Sequence, residues 1–325
     1  MVKLRKKSSA VLQVSPVPLY TQIKEILRDS TRESRPGTDM SKDQKGHVSV
    51  RNLTVEFTSD SGPMVAVSDA SLEIQPGEFV SVIGPSGCGK STILNVLAGF
   101  TPHSKGTVTL DGLPVKGPGA DRGVVFQQYS LFPWLTVRKN VEFGLKMQGV
   151  TSSTRETQAR TFLGLTGLLH FENHYPEQLS GGMKQRVGIV RALATSPQVL
   201  LMDEPFGALD AQTRVVMQEI LTNMWQRLRI SVLFITHDIE EAIFLSDRIY
   251  VMTARPGCIK AELTVPLDRP RIPAMTDSTE FLSMKHQIQS LIREESLRAM
   301  GAEISEGGTE GLSVEVGTEG MQHLV

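Results

Sequence analysis

Two kinds of apolar spacing alternate along the chain. From Val48 onward, HVSVRNLTVEF and ASLEIQPGEFVSVIG carry apolar residues in alternation or in short unbroken runs closed by turn residues, which predicts β-strands. Lys90–Ala98 then reads as a helix. Further on, PQVLLMDEP and ISVLFITHD each hold four or five consecutive apolar residues ending in acidic or imidazole side chains. Such runs suit parallel strands buried on both faces, whose C-terminal ends carry the chemistry. With helices between them, the core is predicted to be α/β. Residues 129–180 lack such runs and read as helical in VRKNVEFGLKMQ and RETQARTFLGLTGL, so a helical subdomain inserted into the sheet domain is expected. After Pro270, residues Phe281, Met284, Ile288, Leu291 and Ile292 fall on one helical face, which predicts a helical segment over 271–300 packed against the domain.

The flanks have a different character. Residues 1–46 are polar, carry Pro16, Pro18, Pro36 and Gly37, and offer one helical candidate, Tyr20–Asp29, so a mostly irregular extension is expected. Residues 301–325 repeat GTEG at 308 and 317 and hold five Glu with no Lys or Arg, the composition of a disordered acidic tail. Over the whole chain 34 basic residues nearly balance 35 acidic ones, so no global field favours nucleic acid or an anionic membrane surface. Two cysteines, Cys88 and Cys258, suggest neither a disulfide framework nor a zinc site, and a reducing compartment fits. No uninterrupted apolar run is long enough to span a bilayer, and the basic start MVKLRKKSSA leads into a stretch too short and proline-broken for a secretion signal. Any membrane role is therefore expected to come through a partner.

The candidate chemistry begins at GPSGCGKS, which matches GxxxxGK[ST] between a predicted strand and a predicted helix, the frame a phosphate loop requires. Gly84, Pro85, Ser86, Gly87, Cys88, Gly89, Lys90, Ser91 and Thr92 are the candidate nucleotide contacts. Glycines let backbone N–H groups curl around the β-phosphate, Lys90 neutralises the β/γ oxygens, and the Ser91 hydroxyl ligates Mg²⁺. Cys88 is expected to contribute backbone and to offer a handle for thiol reagents. Asp203, ending VLLMD, is the expected partner of Mg²⁺, and Glu204 beside it is placed to orient and activate a water. His237 ends a third strand in an equivalent position. A second phosphate-type turn, LSGGMKQR, sets Ser180, Gly181 and Gly182 before a helix predicted over Met183–Ala194.

Taken together these residues resemble the ATP-binding cassette (ABC) family, the ATPase subunits of ABC transporters. Over Val48–Leu267 the family's order recurs: Walker A GPSGCGKS, a Q-loop glutamine at Gln127 in VVFQQYS, the signature LSGGMKQR, Walker B VLLMDE, a D-loop ALD ending at Asp210, and the H-loop histidine His237. The resemblance implies a P-loop NTPase with a RecA-like core, an antiparallel β-subdomain and an inserted α-helical subdomain, the whole ATPase domain covering 47–270. It implies ATP and Mg²⁺ as cofactors, with Ser91, Gln127 and Asp203 at the metal and Glu204, His237 and Gln127 in catalysis. Phe57 in LTVEF would stack on adenine, where the family more often has Tyr. The implied partners are a second ATPase subunit, expected to be a second copy, and a transmembrane permease. The copies would pair head to tail, so that Ser180, Gly181 and Gly182 serve the ATP held by the other copy's Walker A, and Asp210 is a further implied nucleotide-binding residue. Residues Tyr129 to Trp134, unusually apolar for a loop, would meet the permease's coupling helix.

A finer resemblance lies in VKGPGADRGVVFQQYSLFPWLTVRKNVEFGLKMQGV and ARPGCIKAELTVPLDRPR, which look like the importer subfamily for nitrate, sulfonates, taurine or bicarbonate. It implies import of a small anion, an indirect extracytoplasmic substrate-binding protein, and a peripheral position on the cytoplasmic face of the cell membrane. The alternative is a non-transport ABC ATPase acting on nucleic acid or ribosomes. Such proteins usually carry a long coiled coil between the motifs or two cassettes in one chain, and neither is present here. The segment VPLYTQIKEILRD resembles the opening helix of GntR-type winged-helix regulators, but no recognition helix follows it before the first strand, and no nucleic-acid partner is expected. A monomeric P-loop kinase would leave LSGGMKQR and His237 without roles.

Overall fold

The structure, a computed structural model, describes residues 45–59 and 62–307, with side chains up to Ala299. The expected N-terminal extension up to 44, with its candidate helix Tyr20–Asp29, and the tail beyond Gly307 lie outside the described residues. In chain order the elements are β1 (Val48–Ser59), β2 (Gly62–Ile74), β3 (Phe79–Ile83), α1 (Lys90–Ala98), β4 (Lys105–Leu110), β5 (Leu113–Pro114), β6 (Arg122–Val125), α2 (Val137–Met147), α3 (Ser152–Leu165), α4 (Gly181–Ala194), β7 (Val199–Asp203), α5 (Ala211–Leu228), β8 (Ser231–Ile235), α6 (Ile239–Leu245), β9 (Arg248–Met252), β10 (Ile259–Thr264) and α7 (Thr279–Gly307). They divide into two compact units. Among the described residues, Ala120–Leu200 and Pro205–Ile230 belong to the first; His47–Gly119, Leu201–Glu204 and Ser231–Gly307 belong to the second.

In the second unit β1 and β2 pair antiparallel from Val48↔Ile74 to Ser59↔Gly62. The alternation buries Val48, Val50, Leu53 and Val55, and it skips one position at Asn52, which takes φ 49° where the register shifts. A bulge there keeps the inward face apolar on both sides of the irregularity. β4 covers the other edge of β1, giving the order β2-β1-β4-β5. A second sheet is built around β3, whose five residues are all buried and which runs parallel to both β8 and β9. Burial on both faces explains why FVSVI and SVLFI are continuous rather than alternating. β7 lies beyond β8, and β10 closes the other edge antiparallel to β9. β10 went unseen in the sequence because IKAELT is an edge strand with no buried residue.

α7 buries Phe281, Met284 and Ile288 and packs on α6 and β9, while Leu291 and Ile292 are only half-buried. The helix continues past the boundary expected at 300, through Gly307.

In the first unit β6 and the start of β7 are joined by backbone bonds from Gln198 and Val199 to the Asp121 carbonyl. The helical part is larger than the expected 129–180, because α4 and α5 belong to it. α4 buries Val187, Ile189, Val190 and Leu193 and packs against α2, α3 and α5, so it is the centre of this unit rather than its edge. Buried Asn140 on α2 shapes the preceding loop. Its Oδ1 accepts from the Phe132 N–H at 2.9 Å, and its Nδ2 donates to the Phe132, Leu135 and Thr136 carbonyls at 3.1, 3.0 and 3.1 Å.

Candidate functional site

β3 delivers the chain directly into Gly84–Ser91, and α1 begins at Lys90. Gly87 (φ 75°) and Gly89 (φ 97°) adopt the left-handed region that disfavours side chains. At Gly89 space forbids one as well, since a Cβ would stand 2.8 Å from Val67 Cγ2 and 2.9 Å from the Ala66 carbonyl oxygen. Gly89 is also the N-cap of α1 and offers no side-chain cap to the first turn. Those N–H groups and the helix dipole favour an anion. Lys90 is buried, and its Nζ donates to the carbonyl oxygens of Gly84 at 2.9 Å and Pro85 at 3.0 Å, which holds a positive charge within the loop.

Cys88 corrects an expectation. Its thiol is 1% exposed, and burial pushes its pKa up against the opposing influence of Lys90, so both access and thiolate formation are disfavoured. It is no handle for thiol reagents. Its backbone, by contrast, is closely engaged: a Cβ on Gly257 would lie 1.8 Å from the Cys88 carbonyl oxygen.

Ser91 Oγ donates to Asp203 Oδ1 at 3.0 Å. The Asp203 carboxyl lies above the usual range, chiefly through burial and further through the Glu204 charge, with the Ser91 bond and Lys90 opposing. A hard divalent cation takes oxygen ligands and would relieve both unfavourable influences, so this hydroxyl–carboxylate pair fits Mg²⁺, with phosphate oxygens and water completing its shell. Among the described residues no cluster of three or more His, Cys, Asp or Glu offers another metal seat.

Glu204 follows at φ 42°, an uncommon backbone for Glu and of a kind that clusters at functional sites. Its N–H donates to the Ile235 carbonyl at 2.9 Å, tying the ends of β7 and β8 together. The Oε2 of Glu204 stands 3.2 Å from His237 Nδ1. The turn after β8 sets that histidine. Thr236 Oγ1 donates to Glu241 Oε2 at 2.8 Å and accepts from the Asp238 N–H at 3.0 Å, while Asp238 Oδ1 accepts from the N–H groups of Glu240 and Glu241 at 2.9 and 3.1 Å.

Phe57, half-exposed on β1, lines one cleft together with Met64, Ala66, Ser86, Gly87, Gly89, Lys90, Ser91, Thr92, Glu204 and Arg255; its volume is about 680 Å³ including the mouth. A flat aromatic at the rim suits stacking on a base. Met64, Ala66 and Arg255 were not sequence candidates. Arg255 carried a signal nonetheless: a cation in the Pro-Gly turn that ends the apolar run IYVM.

The remaining candidates lie in the first unit. Ser180 is the N-cap of α4, its Oγ accepting from the Met183 N–H at 3.4 Å, and the helix starts at Gly181 rather than Met183. Ser180 and Gly181 are exposed; Gly182 is buried, and a Cβ on it would stand 2.4 Å from Thr213 Cγ2 on α5. Asp210 caps α5: Oδ1 accepts from the Thr213 N–H at 3.0 Å and Oδ2 from Thr213 Oγ1 at 2.7 Å, bonds that hold its carboxyl below the usual range. Gln127 is exposed two residues after the end of β6. In the apolar loop Phe132 packs on Phe143, with ring centroids 4.5 Å apart, whereas Trp134 is 71% exposed.

The sequence profile described as ABC transporter matches residues 67–207. The chain is 50% identical over 253 residues to the nitrate import ATP-binding protein NrtD of Synechocystis sp., an alignment covering 76% of this chain and 95% of that one. It is 50% identical over 211 residues to the taurine import ATP-binding protein TauB of Burkholderia pseudomallei, covering 65% and 81%. The dimeric structure of a post-hydrolysis state of the ATP-binding cassette MJ0796 bound to ADP and Pi superposes with a TM-score of 0.61 at 33% identity, over 68% of this chain and 100% of that one. The fold is a P-loop, RecA-like ATPase core with an antiparallel sheet and a helical subdomain. The chain belongs to the ABC transporter family, as an ATP-binding cassette subunit that binds and hydrolyses ATP.

Proposed function

We propose that two copies of this chain close head to tail around ATP and that Mg²⁺-dependent hydrolysis drives import of a small anion through a separate membrane permease. The observation that carries the chemistry is the gathering of Lys90, Ser91, Glu204 and the aromatic Phe57 around one cleft, with Asp203 bonded to Ser91 and His237 beside Glu204. Phe57 stacks on the base, the loop N–H groups and Lys90 hold the triphosphate, and Glu204 orients a water and accepts its proton. His237 keeps the Glu204 carboxylate aimed. Held by Ser91 and Asp203, Mg²⁺ would neutralise charge on the β- and γ-phosphate oxygens.

The exposed N-terminus of α4 at Ser180 and Gly181 supports the pairing of copies. A hydroxyl and a helix N-terminus aimed at the γ-phosphate of the other copy's ATP favour ATP over ADP, so nucleotide state biases an open–closed equilibrium. A groove lined by Phe126, Phe132, Phe143, Met147 and Arg191 supports the permease contact, since exposed apolar surface commonly marks a partner site. Among the described residues no helix is long and apolar enough to cross a membrane, which fits a peripheral subunit at the cytoplasmic face that relies on the permease for translocation. The anion class follows the nitrate and taurine import proteins to which the chain is similar, and an extracytoplasmic binding protein would complete the complex. Co-purification from membranes with the permease, followed by proteoliposome uptake of nitrate, taurine and alkanesulfonates, tests this. ATP-dependent uptake of one of them is expected; an active ATPase that associates with no membrane protein would overturn the transport assignment.

A further inference from the structure

We propose that Arg255 is a binding residue of the nucleotide cleft, pairing with phosphate oxygens of ATP, and that Glu295 on α7 is the positioning residue that holds its loop there. This rests on the cleft being the seat of ATP. Arg255 lines the cleft beside Gly87, its Nη2 lying 3.7 Å from where a Gly87 Cβ would be. Its hydrogen-bonding partner among the described residues is the Met64 sulfur, 3.3 Å from Nη1, so no acidic side chain there neutralises the guanidinium. A half-open cleft with a phosphate loop on one wall and, among the described residues, a guanidinium without an acidic hydrogen-bond partner on the other suits an anion, and the planar fork of Arg matches phosphate oxygens in pairs.

The loop that carries Arg255 is fixed on three sides. The Gly257 N–H donates to the Ala66 carbonyl at 3.0 Å, and the Ser68 N–H donates to the Gly257 carbonyl at 2.9 Å, which binds the loop to β2. Gly257 also abuts the Cys88 carbonyl of the phosphate loop, where no Cβ fits. The third attachment comes from α7. Glu295, 2% exposed, accepts from the Ala254 N–H at 3.1 Å through Oε2, directly before Arg255. Its Oε1 accepts from Lys260 Nζ at 2.6 Å and Arg298 Nη1 at 3.0 Å. Burial alone would raise the carboxyl's pKa, but the Lys260 bond, the Ala254 N–H and the two cations together hold it below the usual range. A carboxylate is thus kept charged inside the protein, where it grips the one backbone N–H next to the cleft arginine. Ordering of α7 thereby bears on nucleotide affinity.

The experiment measures ATP affinity by fluorescent-nucleotide displacement, and steady-state KM and kcat, in Arg255→Ala, Arg255→Lys, Glu295→Gln, Glu295→Ala and Arg255→Ala/Glu295→Ala, with thermal midpoints confirming folding. Arg255→Ala is expected to raise Kd and KM for ATP about 10-fold, the lower range for losing a charge-assisted hydrogen bond, with kcat within about twofold. Arg255→Lys recovers part of the loss. Glu295→Ala moves KM in the same direction, Glu295→Gln less because it retains an acceptor for the Ala254 N–H, and the double variant is no worse than Arg255→Ala alone. Unchanged Kd in Arg255→Ala, while Lys90→Ala loses ATP binding, overturns the proposal and leaves the cleft assignment standing. Fully additive Arg255 and Glu295 effects overturn the positioning role. ATP binding undiminished in Lys90→Ala removes the cleft assignment, and this proposal with it.

Discussion

His237 Nδ1 stands 3.2 Å from Glu204 Oε2, across the ends of two neighbouring strands. The Glu204 backbone is held at positive φ and bonded to the Ile235 carbonyl, while the His237 turn is fixed by Thr236, Asp238 and Glu241. The pair is therefore preorganised by the backbone conformation at Glu204 and by the side-chain hydrogen bonds of the His237 turn, an arrangement that holds a carboxylate in place at low reorganisation cost.

Glu204→Gln preserves shape and removes the carboxylate proposed to accept the proton of the attacking water. ATP binding is expected to persist while turnover falls about 10²–10⁴-fold, the usual contribution of a general base, and an ATP-dependent dimer should accumulate. Steady-state hydrolysis beside size-exclusion chromatography in ATP decides it. Wild-type hydrolysis by this variant would falsify the assignment.

Asp203 has a raised pKa, so its ionised form destabilises the nucleotide-free fold at every pH above the ordinary carboxylate range, and that penalty disappears once the group is protonated in both states. Asp203→Asn is expected to raise the thermal midpoint by roughly 1–3 °C at neutral pH, with the gain fading below about pH 4. The same variant should lose most of the Mg²⁺ dependence of ATP binding. A lowered midpoint at pH 7 would contradict the burial argument.

At Gly182 the structure gives glycine a packing reason, independent of any phosphate. Gly182→Ala forces a methyl against Thr213 Cγ2 and is expected to cost about 1–3 kcal/mol of stability. Thr213→Ser deletes the opposing methyl yet keeps a hydroxyl for Asp210, so it should restore stability to Gly182→Ala. Urea unfolding of the single and double variants reads this directly. If the double variant regains stability but not ATPase activity, Gly182 serves the nucleotide as well as the helix packing.

Arg271 is buried and its Nη1 donates to the carbonyl oxygens of Ile243, Phe244 and Ser246 at 2.9, 3.0 and 2.6 Å, closing the C-terminal end of α6. Burial first, and the neighbouring Arg269 charge second, push its pKa down to about 10, still high enough to keep it charged at neutral pH. Arg271→Ala strips three buried acceptors of their donor and is expected to cost about 2–4 kcal/mol, with Arg271→Lys intermediate. A midpoint in urea that does not move would show that water takes over those bonds.

Much of the site was legible because its signals are local. A phosphate loop needs glycines at particular left-handed positions, a lysine opening a helix and a buried strand before it, all within one short stretch, and GPSGCGKS meets those demands whatever surrounds it. Asp203, Glu204 and His237 were legible for a related reason, since a run of apolar residues ending in a polar one marks the end of a buried strand. Chain neighbours cannot reveal what a residue meets from elsewhere in the sequence. That Cys88 is sealed off, that Gly182 is shaped by Thr213, that Arg255 faces the phosphate loop and that Glu295 secures its turn all depend on contacts between segments far apart along the chain. The limits of the helical unit followed the same logic: α4 and α5 joined it because their apolar faces found α2, α3 and each other, and burial is a property of the assembled partners, whereas propensity and periodicity belong to each segment alone.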